Sequence, residues 1–435
     1  MLRYMLCAMC SIVTSSQGSA QEYRYAIFDI PWLGGDFSSA RGIAGDGTVA
    51  ASSNDQNTAH VLVWRNGAIV EDRGGGGGSR INDQHDISGV GGVLMATLWH
   101  HDGQIIELGT LGGDRSSANG INNLGQITGS ASLPEGHPDG VHAFLWENGE
   151  MQDLGSPGRG SVATAINERT QIVGHFGVTD TNYTRAFFWE TGQFTDLPNL
   201  SGNRTAIAEA INDDGVIAGQ AGVPLYVHAV LWINGEIIDI HDDNAASSSR
   251  ALTINNLGVV GGNMYSRAQG RTVGFITEND RMINLNDHLP PRRRYDITWV
   301  NDLNDFGQIA GRDVDRGRGV ILSPVTPTLE LSGPDPGEPG QSSRLTVTGC
   351  DPGARVYFLY GPIGGGMAIP DCDLQTGAAL QISSPTLVGT AVANQNGEAT
   401  ITRFVPGAAA GRTFLIQAAQ PTGCKVSQLV VHRFE

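Results

Sequence analysis

The chain has 435 residues, enough for two or three domains and a sizeable core. Its 60 glycines are about twice ordinary usage but lack the third-position spacing of collagen, so they mark turns. A net charge of −17 leaves no basic surface to neutralise phosphate, which argues against a grip on nucleic acid or anionic lipid.

Residues 1–20 read as an export signal. Arg3 supplies the positive end, Met5–Val13 is an apolar run too short to span a bilayer, and Gly18-Ser19-Ala20 is a small-residue cleavage site. The mature chain is expected to begin near Gln21, outside the cell, with Cys7 and Cys10 removed.

A repeat then fills residues 21–324. Its turn element appears as IAGDGTVAA from Ile43, INDQHDISG from Ile81, INNLGQITG from Ile121, INERTQIVG from Ile166, INDDGVIAG from Ile211, INNLGVVGG from Ile254 and LNDFGQIAG from Leu303. The start-to-start steps are 38, 40, 45, 45, 43 and 49, which suits four-stranded blades rather than shorter solenoid coils. In the unit from Leu108 to Gly155, Asn122-Asn123-Leu124-Gly125 turns between strands Ser116–Ile121 and Gln126–Ser130. There Asn hydrogen-bonds its own backbone and Gly takes positive φ. His142-Ala143-Phe144-Leu145-Trp146 is apolar on both faces, as a doubly covered strand is, and Met151–Leu154 follows it. His85 and Thr170 replace the turn glycine, and a β-branched Thr is poor at positive φ, so a different turn is expected at Thr170.

Trp64, Trp99, Trp146, Trp189 and Trp232 close the third strand of five units, a position expected to pack between units. The last unit lacks a fourth strand, because Ser323-Pro324 ends it. Tyr25–Ile30, continuing into PWLGGDFSSARGI, has the fourth-strand pattern of IIELGTLGGDRSSANGI. Pairing it beside Val320–Leu322 removes an open edge. The expected fold is therefore all-β: a seven-bladed β-propeller closed by its N-terminal strand, with an open β-solenoid as the alternative.

HVLVWRNG from His60, HAFLWENG from His142 and HAVLWING from His228, together with the LGTLGG and INNLGQITG elements, resemble the HAF family of extracellular repeats of secreted bacterial proteins. The resemblance covers roughly residues 23–324. It implies export and a repeat scaffold, and no established reaction.

Residues 325–342 are rich in Pro, Gly and Ser and read as a linker with one short strand, Thr328–Leu331. Residues 343–435 read as a small β-sandwich, with Asn396-Gly397 as a hairpin signal. Cys350, Cys372 and Cys424 fall here; one pair should bridge in an oxidising compartment, and the sequence leaves the three pairings open.

Candidate ligand-binding residues lie on the loops that lead from one unit into the next: Asp36, Asp114, Arg115, Arg159, Arg204, Arg250 and Arg294. Charges converging on a concave mouth suit a polar ligand, while recurrence with the repeat suits capping and ion pairing. His60, His142 and His228 share one position with Arg185 and Arg318, which suits a strand-end hydrogen bond better than a metal ligand. His85 and the pair His100-His101 are isolated. No metal site and no cofactor are expected. Calcium is the one ion weighed, at Asp313-x-Asp315 and His241-Asp242-Asp243-Asn244, though neither has a calcium loop's glycine and spaced acids. GxSxG, P-loop and dinucleotide motifs are missing, and no catalytic residue can be assigned.

Two functions follow. The favoured one is a secreted, monomeric, non-catalytic scaffold that presents its loops to an extracellular glycan or protein. The other is a carbohydrate-active hydrolase or lyase at the tunnel mouth, using acids in loops such as Ser132–Val141 and Gly177–Tyr183. A mouth whose Arg and Asp are paired with one another favours the scaffold; a close carboxylate pair on its walled side favours the enzyme.

Overall fold

The computed structural model describes residues 24–179, 181–200, 205–370, 372, 374 and 377–435. The expected export signal, residues 1–20, and Arg204 lie outside the described residues. Strands dominate, and no described helix is long and apolar enough to cross a membrane.

Residues 38–75, 77–109, 116–155, 159–196, 206–239 and 246–284 each form a four-stranded antiparallel sheet in simple sequence order. A seventh four-stranded sheet contains Trp299–Leu303, Ile309–Asp313 and Arg318–Pro324, and its fourth member is Tyr25–Asp29. That N-terminal strand runs antiparallel to Arg318–Pro324, with Tyr25 opposite Pro324 and Asp29 opposite Val320. The pairing predicted from the repeat pattern is thus present.

The apolar core is divided among the gaps between sheets. Trp99 packs with Ile81, Val61 and Val63 between the first and second sheets. Trp146 packs with Leu98 and Phe144 between the second and third, and Trp189 with Leu145 and Phe187 between the third and fourth. Trp64, in the first sheet, packs instead with Phe28, Ile30, Ala310 and Ile321 of the seventh. Each of these indoles is at most 9% exposed, so the shared Trp position is an inter-sheet packing site. The large ring fills a gap between two flat faces that smaller side chains would leave void.

Every inner strand is bulged at the same place in the repeat, at Ala118/Gly120 and Ala163/Ala165 for example, and Arg159–Ile166 and Ala246–Ile254 carry a second irregularity. Opposite the bulge the second strand usually carries glycine. A Cβ on Gly129 would run into the carbonyl of Ser117, which explains the Gly of INNLGQITG. The turns are held by their first Asn. Oδ1 of Asn167 accepts from the amides of Arg169 and Gln171, both at 3.0 Å. This cap overrides side-chain preference: Thr170 has φ of 60° and His85 of 68°, so both keep the glycine geometry, contrary to the expectation for Thr170. The Thr170 hydroxyl is also anchored, donating to Gln126 Oε1 at 2.9 Å.

Beyond Pro324, a sheet of Glu330–Asp335, Ser342–Thr348 and Ala399–Phe404 faces a second sheet built on Thr386–Val392, Arg355–Gly361 and Thr413–Gln420. Val347, Val356, Phe358, Ile401 and Ile416 fill the space between them. The stretch read as a linker is largely built into this part, since Val325, Leu329 and Leu331 are buried. Its strand begins at Glu330 rather than Thr328. The turn at Asn396-Gly397 forms, but the strands it joins enter different sheets, so it is not a hairpin. Inward-facing Ala399 and Ile401 bury against Val356 and Phe358 across the layer instead of pairing with the preceding strand. Cys372 and Cys424 form the disulfide, and Cys350 is a buried free thiol. A hairpin of Gly364–Ala368 and Ala379–Ile382 lies against the N-terminal strand, where Gln381 Nε2 donates to the carbonyl of Tyr25 at 3.3 Å.

Candidate functional site

Inner strands of six of the sheets, the second to the seventh, line a narrow channel. At the bulge, a polar side chain reaches the backbone of the next sheet: Asn119 Nδ2 donates to Ala163 O at 2.8 Å, Thr164 Oγ1 to Ala208 O at 2.7 Å and Asn301 Nδ2 to Ala40 O at 2.7 Å. Two units place a charge at this position, Arg41 and Glu209. Burial, with the neighbouring guanidiniums of Arg312 and Arg80, pushes Arg41 below the usual arginine range. Burial also raises the Glu209 carboxyl, although Arg80, Arg250 and the amide of Gln220, 3.2 Å away, favour its charge. A cavity of about 100 Å³ lies along the axis, lined among others by Arg80, Asp302, Ile166 and Ile211. Asp302 is already engaged, accepting from the amide of Ile43 and the hydroxyl of Thr253, both at 3.0 Å.

The end of the channel formed by the turns carries two circuits of hydrogen bonds. In the first, Nδ2 of each turn Asn donates to a carbonyl of the next turn: Asn82 to Asn122, Asn122 to Asn167, Asn167 to Asn212, Asn212 to Asn255, Asn255 to Asn304 and Asn304 to Ala44. In the second, the following residue accepts from the backbone of the preceding turn, through Asp83, Asn123, Glu168, Asp213, Asn256 and Asp305. This rim is acidic. Burial raises Glu168, and Asp213 and Asp83 add to that effect against the opposing amide of Asn123.

The described residues among those chosen from the sequence do not converge on one another, apart from the neighbours Asp114 and Arg115. Asp114 and Arg115 are exposed and pair with each other at 3.7 Å. Asp36 is exposed and accepts from Asn54 Nδ2 at 3.1 Å. Arg159 is exposed at the start of Arg159–Ile166, and Arg294 is exposed beside Tyr295 and Asp29. Only Arg250 joins the charged channel, through Glu209. Nearby, Asp296 is gripped by Arg271 and Arg293, each at 2.6 Å; burial opposes its ionisation, but the two guanidiniums outweigh it and hold the carboxyl low. Asp313 of the proposed calcium fragment is buried and paired with Arg316 at 3.1 Å, so its charge is already met.

The histidines obey the repeat. His60 pairs with Asp72, His142 with Asp153, Arg185 with Asp196 and His228 with Asp239, at 2.8–2.9 Å. A basic side chain opening the third strand meets an acid on the fourth. Asp29 takes the same place in the seventh sheet, where burial raises it against a hydrogen bond from Tyr295 and the guanidiniums of Arg294 and Arg318. His85 and His100-His101 are not isolated, since His85 meets Asp46 at 3.0 Å and His101 meets Asp86 at 2.9 Å.

No family model matches this chain, and no curated protein matches it. Among solved structures, TolB from Acinetobacter baumannii is similar with 11% identity and a TM-score of 0.35, over 47% of this chain and 52% of that one. A gluconolactonase from Xanthomonas campestris is similar with 12% identity and a TM-score of 0.36, over 72% of this chain and 99% of that one. The chain thus spans about half the length of that TolB.

Arg41, Arg80, Glu209 and Asp302 were missed in the sequence. The signal was there: they interrupt positions held elsewhere by small or neutral residues, as in Ala118-Asn119-Gly120 and Ala163-Thr164-Ala165.

Proposed function

We propose that this is an exported, non-catalytic binding scaffold of HAF-type repeats. In this reading the seven sheets are blades of a propeller closed by the N-terminal strand, and the loop face takes a polar extracellular glycan or protein. The observation that carries it is the pairing of charge at that face. Asp114 is met by Arg115, Asp296 by Arg271 and Arg293, and Asp313 by Arg316. The guanidiniums of Arg293 and Arg271 hold the Asp296 carboxyl low, which makes it a poor proton carrier, because opposite charge stabilises the ionised form. Arg41, Arg250 and Arg312 supply donors for an acceptor-rich ligand entering the channel.

The second reading, a carbohydrate-active hydrolase or lyase, draws on Glu209. It is a half-buried acid that desolvation holds above its ordinary range against the pull of two arginines, and a raised carboxyl is what general acids use. A glycan and polysaccharide array, read for both binding and turnover, separates the two. Binding without turnover, weakened by R250A, is expected; turnover abolished by E209Q would overturn the scaffold.

A further inference from the structure

The geometry points to a divalent transition-metal site, of the kind zinc occupies, formed by His228, His241 and Asp243 where the fifth sheet passes to the sixth. His228 belongs to the repeated pair of a basic side chain with an acid, as His60 and His142 do. The fifth unit alone adds to it. Two residues after the paired acid, where the other paired units have glycine or proline (Gly74, Gly155, Pro198 and Pro31), this unit has His241. Its ring lies on that of His228, centroids 3.9 Å apart and 19° between planes. Asp243 Oδ1 is 3.6 Å from His241 Nε2. One ligand atom from each residue lies within 4.8 Å of the other two.

Both imidazoles are held through the nitrogen that would not face the ion. His228 Nδ1 contacts Asp239 Oδ2 at 2.8 Å, and His241 Nδ1 contacts Ser249 Oγ at 2.7 Å. That outer layer of partners is what orients metal-binding histidines elsewhere. Ser249 has been diverted for it. Its counterparts Ser38, Ser116 and Ser161 donate to the carbonyls of Ile30, Gly109 and Gly155, whereas Ser249 meets the ring of His241. The His241 side chain is 1% exposed, and its Nε2 has no hydrogen-bond partner among the described residues. A buried nitrogen left without a partner is costly unless something satisfies it.

Near-parallel rings do not aim in-plane lone pairs at one point, so closure needs one ring to tilt. His228, the more exposed of the two, can do so, and Asp243 at 84% side-chain exposure can swing inward. Two imidazoles, one carboxylate and water make a borderline donor set, suited to zinc, cobalt or nickel and not to calcium. The second cluster, Asp86 with His100 and His101, is more self-satisfied: Asp86 Oδ1 takes both the ring and the amide of His101, and His100 Nδ1 meets Asp102.

The test is titration of the untagged, full-length mature protein with Co(II), read by d–d absorption, followed by displacement with Zn(II). One equivalent is expected to bind. H228A, H241A and D243N should each weaken binding about tenfold or more, and S249A about 10–100-fold through the lost orienting bond. H142A, which breaks the equivalent repeat pair, and H100A should leave it unchanged. Circular dichroism checks that each variant is folded; if H241A is not, D243N and S249A carry the test. Failure of the wild type to bind, wild-type affinity in D243N and S249A, or a loss that follows H100A would each overturn the site.

Discussion

Asn304 is the residue through which the seventh turn touches the first, and its replacement tests ring closure directly. Its Oδ1 accepts from the amides of Phe306 and Gln308 at 3.1 and 3.0 Å, and its Nδ2 donates to Gln308 Oε1 at 2.9 Å and Ala44 O at 3.1 Å. Asn304 is 6% exposed, so truncation strips the Phe306 and Gln308 amides of their acceptor and takes one of two donors from the Ala44 carbonyl, which keeps the amide of Gly47. With a net value near 1 kcal/mol per bond and about 1–3 kcal/mol for each group left unsatisfied, N304A should lose about 2–4 kcal/mol. N304D separates the two contributions. It keeps the two amide bonds that shape the turn but removes the donor to Ala44 and sets a carboxylate against that carbonyl. Urea unfolding followed by tryptophan fluorescence should place N304D about 1–2 kcal/mol below wild type, similar to N122D at an internal junction. If N304D is neutral while N122D is not, the seventh and first turns do not meet and the closed reading fails.

Deleting Gln21–Ile30 removes the strand that carries Ile27, Phe28 and Ile30, each at most 5% exposed, from the seventh sheet. At about 1.5–3 kcal/mol per buried side chain the loss approaches the whole stability of a typical fold, so the product should aggregate; a monomer melting at the wild-type temperature would refute this. Glu209 is raised from its ordinary 4.5 by burial. An acid raised in the folded state contributes stability below its ordinary value and loses it as pH rises through the raised one. E209Q should therefore melt higher than wild type at pH 7 and gain nothing near pH 4. The disulfide Cys372–Cys424 spans 52 residues, so C372S with C424S should cost about 2–4 kcal/mol and make reducing agents without effect on the melt. Finally, A44N supplies the turn Asn that the first unit lacks, and should stabilise by about 0.5–1.5 kcal/mol if it completes the link to the Asn82 carbonyl.

The repeat made much of this molecule legible before any coordinates. Each turn is specified locally, by a residue at positive φ and, in every unit but the first, by an Asn whose side chain caps its own backbone. Five of the seven third strands are specified by an apolar run ending in Trp, with Thr277 and Leu322 in its place in the last two units. These are short-range facts, and so the order of strands, and even the partner of Tyr25–Asp29, could be read from letters alone. Thr170 shows the limit in one direction: its own preference was read correctly, but the cap from Asn167 outweighs it.

What the sequence could not supply were relations across the ring. Arg41, Arg80 and Glu209 are separated by up to 168 positions in the chain, and only the packing of inner strands around one axis brings them to a common channel. Likewise, three pairings of Cys350, Cys372 and Cys424 were equivalent on paper, and the fold chose one by burying Cys350 between the two C-terminal sheets. His228 looked like any other member of its repeated position until the fold laid His241 over it. Local hydrogen bonding and hydrophobic pattern act over a few residues, which a sequence records faithfully; burial, charge proximity and the meeting of side chains from distant units depend on how the sheets are arranged in space, which only the tertiary structure decides.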